Sequence, residues 1–195
     1  MKLSTNEILK KFSNDISHPQ EVKRLSLMLF EELGKKVCEM PQEQKVILES
    51  AALLHDIGYF EEAKSHNKHS QTMILEYGLD GFSVEETKMI ACIARYHRGS
   101  LPNKEKHDLY GSFEKKDRKI IKKLGGILRF ADGLDSAHRA LIKKISIDYD
   151  KKNEIIEIQL TPETKYIKPD ITAAIRKRDL LEIGFKVQSV VKFVG

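Results

Sequence analysis

Ala51-Ala52-Leu53-Leu54-His55-Asp56-Ile57-Gly58 places two ionisable residues inside an apolar run. Read outward, Ile47, Leu48, Ala51, Leu54 and Ile57 recur at helical spacing behind Pro41-Gln42-Glu43, so a helix is expected to open at Pro41 and stop at Gly58. His55 stands seven residues after Leu48 and three after Ala52, on the inward stripe, with Asp56 beside it. An imidazole and a carboxylate on a core-facing stripe need a partner, because burying an unpaired charge is strongly unfavourable.

The same period continues on both sides. Val22, Leu25, Leu29 and Leu33 form a stripe ended by Gly34, and Ser70 to Tyr77 reads as a shorter helix stopped by Gly78. Ser83-Val84-Glu85-Glu86 has capping-box spacing and opens a helix through Ile90 and Ile93 to Tyr96, closed by Gly99. A loop covering residues 100–113 leads to a long helix with Ile120, Ile121, Leu124, Leu128 and Ala131. From Lys144 the period becomes two: Ile145, Ile147 and Tyr149, then Ile156, Ile158 and Leu160 across an Asp150–Asn153 turn. Asp170 is placed to cap a helix running to Ile183 and ended by Gly184, and Phe185, Val187, Val191 and Phe193 make a last strand. The expected fold is mainly α: a helical domain over residues 1–143 with a small β-β-α-β subdomain over 144–195.

Composition removes several classes of function. The chain has 195 residues, 41% of them apolar and 32% charged, which suits a folded domain and not a disordered one. No apolar run reaches the ~20 residues of a membrane span, and the N-terminus lacks the order of a signal peptide. Cys38 and Cys92 have neither zinc-motif nor disulfide-framework spacing, so a reducing cytoplasm is the expected location. The net +5 is spread along the chain among acidic residues; its densest run, Lys115–Lys123, reads as a solvated helix face, without the aromatics or module of a nucleic-acid binder.

Other helices repeat the anomaly of His55. His18 lies four and seven residues before Val22 and Leu25, and His97 lies seven and four after Ile90 and Ile93. Asp132 follows Ile121, Leu124 and Leu128 at eleven, eight and four. Three His and two Asp directed at one interior suit a divalent metal such as Mn, Fe, Zn or Ni, with Mg also allowed.

Leu53-Leu54-His55-Asp56-Ile57-Gly58, with His18 upstream and Asp132 downstream, resembles the H…HD…D signature of the HD superfamily of metal-dependent phosphohydrolases. With Lys68-His69-Ser70, Arg95-Tyr96-His97-Arg98-Gly99 and Leu128-Arg129-Phe130-Ala131-Asp132-Gly133-Leu134-Asp135, the stretch from His18 to Arg139 resembles the C-terminal HD domain of the exopolyphosphatase/guanosine pentaphosphate phosphohydrolase (Ppx/GppA) family. The α/β tail is similar to the small final domain of those proteins. Nothing in the sequence resembles their glycine-rich, actin-like half, so the polyphosphatase activity is not implied. No GYP tripeptide follows His97, against a cyclic-di-GMP phosphodiesterase.

The resemblance implies that His18, His55, Asp56 and Asp132 hold one divalent ion (Mn, Mg, Fe, Co, Ni or Zn). It further implies that His69 and His97 add a second, with Asp56 as the bridge. His55, Asp56 and Arg98 are then the catalytic candidates, and Arg98, Lys68 and Arg129 are placed to neutralise a substrate phosphate. His66 reads as a solvated loop residue, His107 and His138 as non-ligands, with His138 and Arg139 at the entrance. Arg95 reads equally as an ion-pair partner or a phosphate binder, and Asp135 as a residue orienting a ligand. The expected function is metal-assisted hydrolysis of a small phosphate ester or nucleotide. The alternative is a regulatory module that binds a guanosine polyphosphate or a separate actin-like phosphatase. No nucleic-acid or membrane partner is expected, and a homo-oligomer stays open.

Overall fold

Helices built on the apolar stripes surround one core, and a three-stranded sheet leans on its side. The computed structural model describes residues 2–194, so the outer ends of the two expected units, Met1 and Gly195, lie outside the described residues. The body comprises α1 (Thr5–Phe12), α2 (Ser17–Lys36), α3 (Gln42–Leu54), α4 (His66–Tyr77), α5 (Val84–Arg95), α6 (Asp108–Ser112) and α7 (Lys115–Leu134). Leu25 and Leu29 of α2, Leu48 and Leu54 of α3, Ile90 and Ile93 of α5, and Ile121, Leu124 and Leu128 of α7 are fully buried together. Among the described residues, no helix is long and apolar enough to cross a membrane.

Ser83 and Glu86 make the expected capping box on α5, and Ser4 with Glu7 makes a second on α1, a helix not expected from the sequence. Several boundaries differ from expectation: α2 runs past Gly34 to Lys36, α6 lies inside the expected loop of residues 100–113, and the last strand starts at Gln188, with Phe185 still helical. The third helix stops at Leu54 and not at Gly58: the His55 ring takes the Ala52 carbonyl (2.7 Å), and a turn of 3₁₀ helix follows at Ile57–Phe60. The fourth begins at His66, four residues before Ser70. The tail helix is broken at Arg178 into α8 (Thr172–Lys177) and α9 (Asp179–Phe185). It ends on Lys186, which is left-handed at φ 58°, and Gly184 stays helical. At Gly184 a Cβ would stand only 2.7 Å from the Lys122 carbonyl oxygen, so glycine serves close approach here.

β1 (Ile142–Asp150) and β2 (Ile155–Pro162) form an antiparallel hairpin, and β3 (Gln188–Phe193) pairs parallel to β2, giving the order β1-β2-β3. Parallel pairing needs a crossover, and α8 with α9 supplies it. Those two helices lie on α7 at near-backbone contact. A Cβ on Gly126 would stand 2.6 Å from Leu181 Cα, and one on Gly133 would stand 2.6 Å from Ala174 Cα. The fold is thus mainly helical with a small α+β appendage, and the appendage is pressed onto the end of α7 that carries Asp132.

Candidate functional site

His18 enters from the first turn of α2, and His55 and Asp56 from the turn after α3. His66 enters from the first residue of α4, His97 from the turn after α5, and Asp132 from the last turn of α7. The HD turn is locked to α4 by Ser70, whose hydroxyl donates to the His55 carbonyl (2.7 Å) and accepts from the Gly58 N–H (2.9 Å). Only glycine fits at position 58, because a Cβ there would stand 2.0 Å from the His66 carbonyl oxygen.

Two groups of donors share Asp56. In the first, His18 Nε2 lies 3.3 Å from Asp132 Oδ1 and 3.8 Å from Asp56 Oδ2, while His55 Nε2 lies 3.4 Å from Asp56 Oδ2 and 3.8 Å from Asp132 Oδ1. In the second, Asp56 Oδ1 lies 3.2 Å from His66 Nε2 and 3.4 Å from His97 Nε2, and those two nitrogens are 3.0 Å apart. Donors around a tetrahedral ion with bonds of about 2.1 Å stand about 3.4 Å from one another, and the four pairs of the first group lie near that, at 3.3–3.8 Å.

The other ring nitrogens are all committed. His55 Nδ1–H donates to the carbonyl of Ala52 (2.7 Å), His66 Nδ1–H to Ala63 (2.9 Å) and His97 Nδ1–H to Ala94 (2.7 Å). Each is the carbonyl three residues back, so one local device fixes three tautomers and turns three Nε2 atoms toward Asp56. His18 Nδ1–H donates instead to Asp135 (2.8 Å), whose other oxygen accepts the backbone N–H groups of Arg139 (3.0 Å) and Ala140 (2.9 Å). The result is a carboxylate–histidine pair of the kind that orients a metal ligand. His55 Nε2 is buried with no hydrogen-bond partner among the described residues. His66 and His97 face each other through nitrogens whose lone pairs repel unless a proton or a cation lies between them. The donor set therefore fits divalent ions.

Electrostatics agree with that pattern. Burial is the largest influence on His97 and, with His55, pushes it down to about 3, so this ring is neutral at ordinary pH. Burial also opposes ionisation of Asp56 and Asp132, but the surrounding imidazoles hold both well below the usual carboxylate range. At His18 burial is again the largest influence, yet the bonds to Asp132 and Asp135 overcome it and raise the ring to about 9. Without a metal that ring holds a proton, which an incoming metal must displace.

The cleft above these donors has a volume of about 400 Å³. Arg98 and Lys177 reach it, and Tyr59 and His138 wall it by stacking on His66 (centroids 3.9 Å apart) and His18 (3.8 Å). Arg98 Nη1 lies 3.3 Å from His66 Nδ1, and Lys177 Nζ pairs with Asp132 Oδ2.

Several residues singled out in the sequence lie elsewhere. His69 is outside both groups: its Nε2 faces Glu62 at 3.5 Å and its side chain is 36% exposed. The face of α4 that meets the HD turn is set by His66 and Ser70, four residues apart, and His69 is rotated off it. Reading His66 as a loop residue hid this, because it joins the buried stripe of Ser70 and Ile74 only once the helix starts there. Lys68 is exposed and does not line the cleft. Arg129 does line it, but its guanidinium is engaged by Asp179 through bonds of 2.9 and 3.3 Å. Arg95 donates to Gln71 (2.7 Å), and His107 pairs with Tyr96 (2.7 Å). Lys177, the cation from the appendage, carried no sequence signal, since its partner Asp132 is 45 residues away.

The chain resembles proteins of known name. It is 26% identical over 116 residues to a guanosine-5'-triphosphate,3'-diphosphate pyrophosphatase of Vibrio campbellii, and 29% identical over 117 residues to one of Vibrio vulnificus. Each match covers 59% of this chain and 23% of the relative. A third, from Pseudoalteromonas translucida, is 38% identical over 55 residues, covering 28% of this chain and 11% of the relative. The chain thus spans about a quarter of the length of the Vibrio relatives. The family model described as Ppx/GppA phosphatase, domain III, matches residues 2–181, and to that family the chain belongs.

Proposed function

We propose that this chain is an HD-type, metal-dependent phosphohydrolase acting on a small phosphate ester or nucleotide. The observation that carries the reading is the convergence of four imidazole Nε2 atoms on the two oxygens of Asp56, each ring held by a bond from its other nitrogen. His18, His55, Asp56 and Asp132 would hold one divalent ion, and Asp56, His66 and His97 a second. Such ions, when bound, supply Lewis acidity and make water a competent nucleophile near neutral pH.

The remaining work falls to the chain's own groups. Arg98 offers a planar guanidinium at the rim, suited to two phosphate oxygens at once. Lys177 adds an ammonium to the same cleft and balances the Asp132 carboxylate with which it pairs. The Asp135–His18 bond keeps that imidazole from rotating, and the three backbone carbonyls do the same for His55, His66 and His97. Tyr59 and His138 limit access of bulk water to the donors.

The test is hydrolysis of p-nitrophenyl phosphate and a nucleotide panel with added Mn, Co, Ni or Mg, beside elemental analysis of protein purified without chelator. Bound metal and turnover that vanishes in His55→Ala are expected. A chain that binds metal but hydrolyses nothing would overturn the reading. One observation favours a second reading, a non-catalytic binding module: the family is defined on one domain of a larger phosphatase. A labelled guanosine polyphosphate bound equally well with and without chelator, with no turnover, would select it.

A further inference from the structure

Where α9 rests on the helical body, a thiol and an amine are in contact. Cys38 lies in the short connection between α2 and α3, and its Sγ accepts from Lys123 Nζ of α7 at 3.1 Å. Both residues are half-buried, and the cysteine is free. That bond is the one hydrogen bond the Lys123 ammonium makes among the described residues. A lysine drawn partly out of water normally gains a carboxylate partner. Here it gains a sulfur, with the Phe185 ring 5.6 Å from the same nitrogen.

Both ends of the contact are held by backbone. The Leu33 carbonyl accepts the N–H groups of Val37 (2.9 Å) and Cys38 (3.2 Å), which fixes the turn that carries the sulfur. On α7, a Cβ at Gly184 would stand 2.9 Å from Lys123 Cα, so α9 sits directly on the chain beneath the amine. Cys92 offers a comparison within the same molecule. It is fully buried, and burial pushes its thiol up to about 12, which describes an inert core cysteine.

A nucleophile poised to react stands about 3–3.5 Å from the atom it attacks, and the nitrogen–sulfur separation of 3.1 Å falls in that range. Oxidation supplies the electrophile, because a sulfenic acid condenses with nitrogen to a sulfenamide. We propose that Cys38 and Lys123 form a peroxide-driven sulfenamide bridge that staples the α2–α3 connection to α7 beside the appendage. Hydrogen peroxide first oxidises the Cys38 thiol to a sulfenic acid and is itself reduced to water. Lys123 gives a proton to solvent, and its free amine attacks the sulfur. The S–N bond forms, the S–O bond breaks, and the hydroxyl departs as water with a second proton from the nitrogen. A dithiol reverses the bridge, restoring thiol and amine and becoming a disulfide. No group of the histidine cleft takes part, so the bridge is independent of the phosphohydrolase reading.

The test treats the full chain with a few equivalents of hydrogen peroxide. Intact mass is read before and after dithiothreitol, and peptides are mapped without reductant. The expected result is a loss of two hydrogens per chain, a linked peptide pair joining Cys38 to Lys123, and reversal by dithiothreitol. Closing a loop across 85 residues should also raise Tm by about 5 °C or more. Lys123→Arg keeps the charge without a comparable nucleophile, so the link should vanish and Cys38 should run on to the sulfinic acid. Cys38→Ser should show neither the mass change nor the rise in Tm. Sulfinic acid at Cys38 of the parent chain beside unmodified Lys123, a disulfide between two chains, or no reaction at Cys38 would each overturn the bridge. So would linked peptides that carry an additional oxygen, or a loss of two hydrogens that persists in Lys123→Arg.

Discussion

The cleft has two sides built on different principles. On the histidine side, His55, His66 and His97 each bond the carbonyl three residues back, so the ring is oriented by its own turn of chain. On the cationic side, Arg129 depends on Asp179, 50 residues away, and Lys177 on Asp132, 45 away. The first device is local and survives as long as the helix does. The second exists only while α8 and α9 stay docked on α7. Donor geometry therefore belongs to the helical body, whereas Lys177, the cleft cation beside Asp132, is supplied by the appendage.

Asp56→Ala gives the largest expected effect, because both donor groups share this carboxylate. Bound metal should fall from about two ions per chain to almost none, and phosphatase activity by about 10³-fold or more. His66→Ala attacks only the second group. It should leave about one ion per chain and lower activity by about 10²-fold. If instead both ions are retained in His66→Ala, the second group is not a metal seat, and the symmetry between the two sides of Asp56 fails.

Lys177→Met tests the other side. It keeps the aliphatic stem and removes the charge, so metal content should be unchanged while KM for a phosphate ester rises about ten-fold. A fall in metal content with constant KM would mean that Lys177 only steadies Asp132. The melting temperature is a useful companion reading, since removing Lys177 takes a partner from the buried Asp132 carboxylate and should lower it.

The same contrast explains what the sequence made legible. His18, His55, His97 and Asp132 sit on apolar stripes, so helical periodicity alone directed them inward, where the three rings are found within 3.8 Å of Asp56 and Asp132 within 3.8 Å of His18 and His55. His66 escaped because a helix start is a weak signal. Ser65, at its N-cap, makes no side-chain hydrogen bond, unlike Ser83 before α5. The strand alternation of the tail was readable for a similar reason, while the break at Arg178 was not: the stretch from the Asp170 cap to Ile183 read as one helix, and packing against α7 divides it. Long-range pairs such as Arg129–Asp179 leave no trace in any window of sequence, so Arg129 read as a free phosphate binder when it chiefly secures the appendage.

His69→Ala carries the smallest expected effect and is for that reason the sharpest control on the histidine side. His69 and His66 lie three residues apart on one helix and share residue type. They differ in whether the ring meets the Asp56 carboxylate or Glu62 at the surface. A half-exposed substitution away from the donors changes free energies by no more than about 0.5 kcal/mol, so activity and metal content should stay within about two-fold of the parent chain. Loss of the second ion in His69→Ala with full retention in His66→Ala would require α4 to turn by most of a quarter rotation. That rotation would break the Ser70 bonds to His55 and Gly58 and drive backbone into the space that Gly58 leaves open. The prediction therefore tests the seating of α4 on the His55-Asp56 turn, on which the whole second donor group depends.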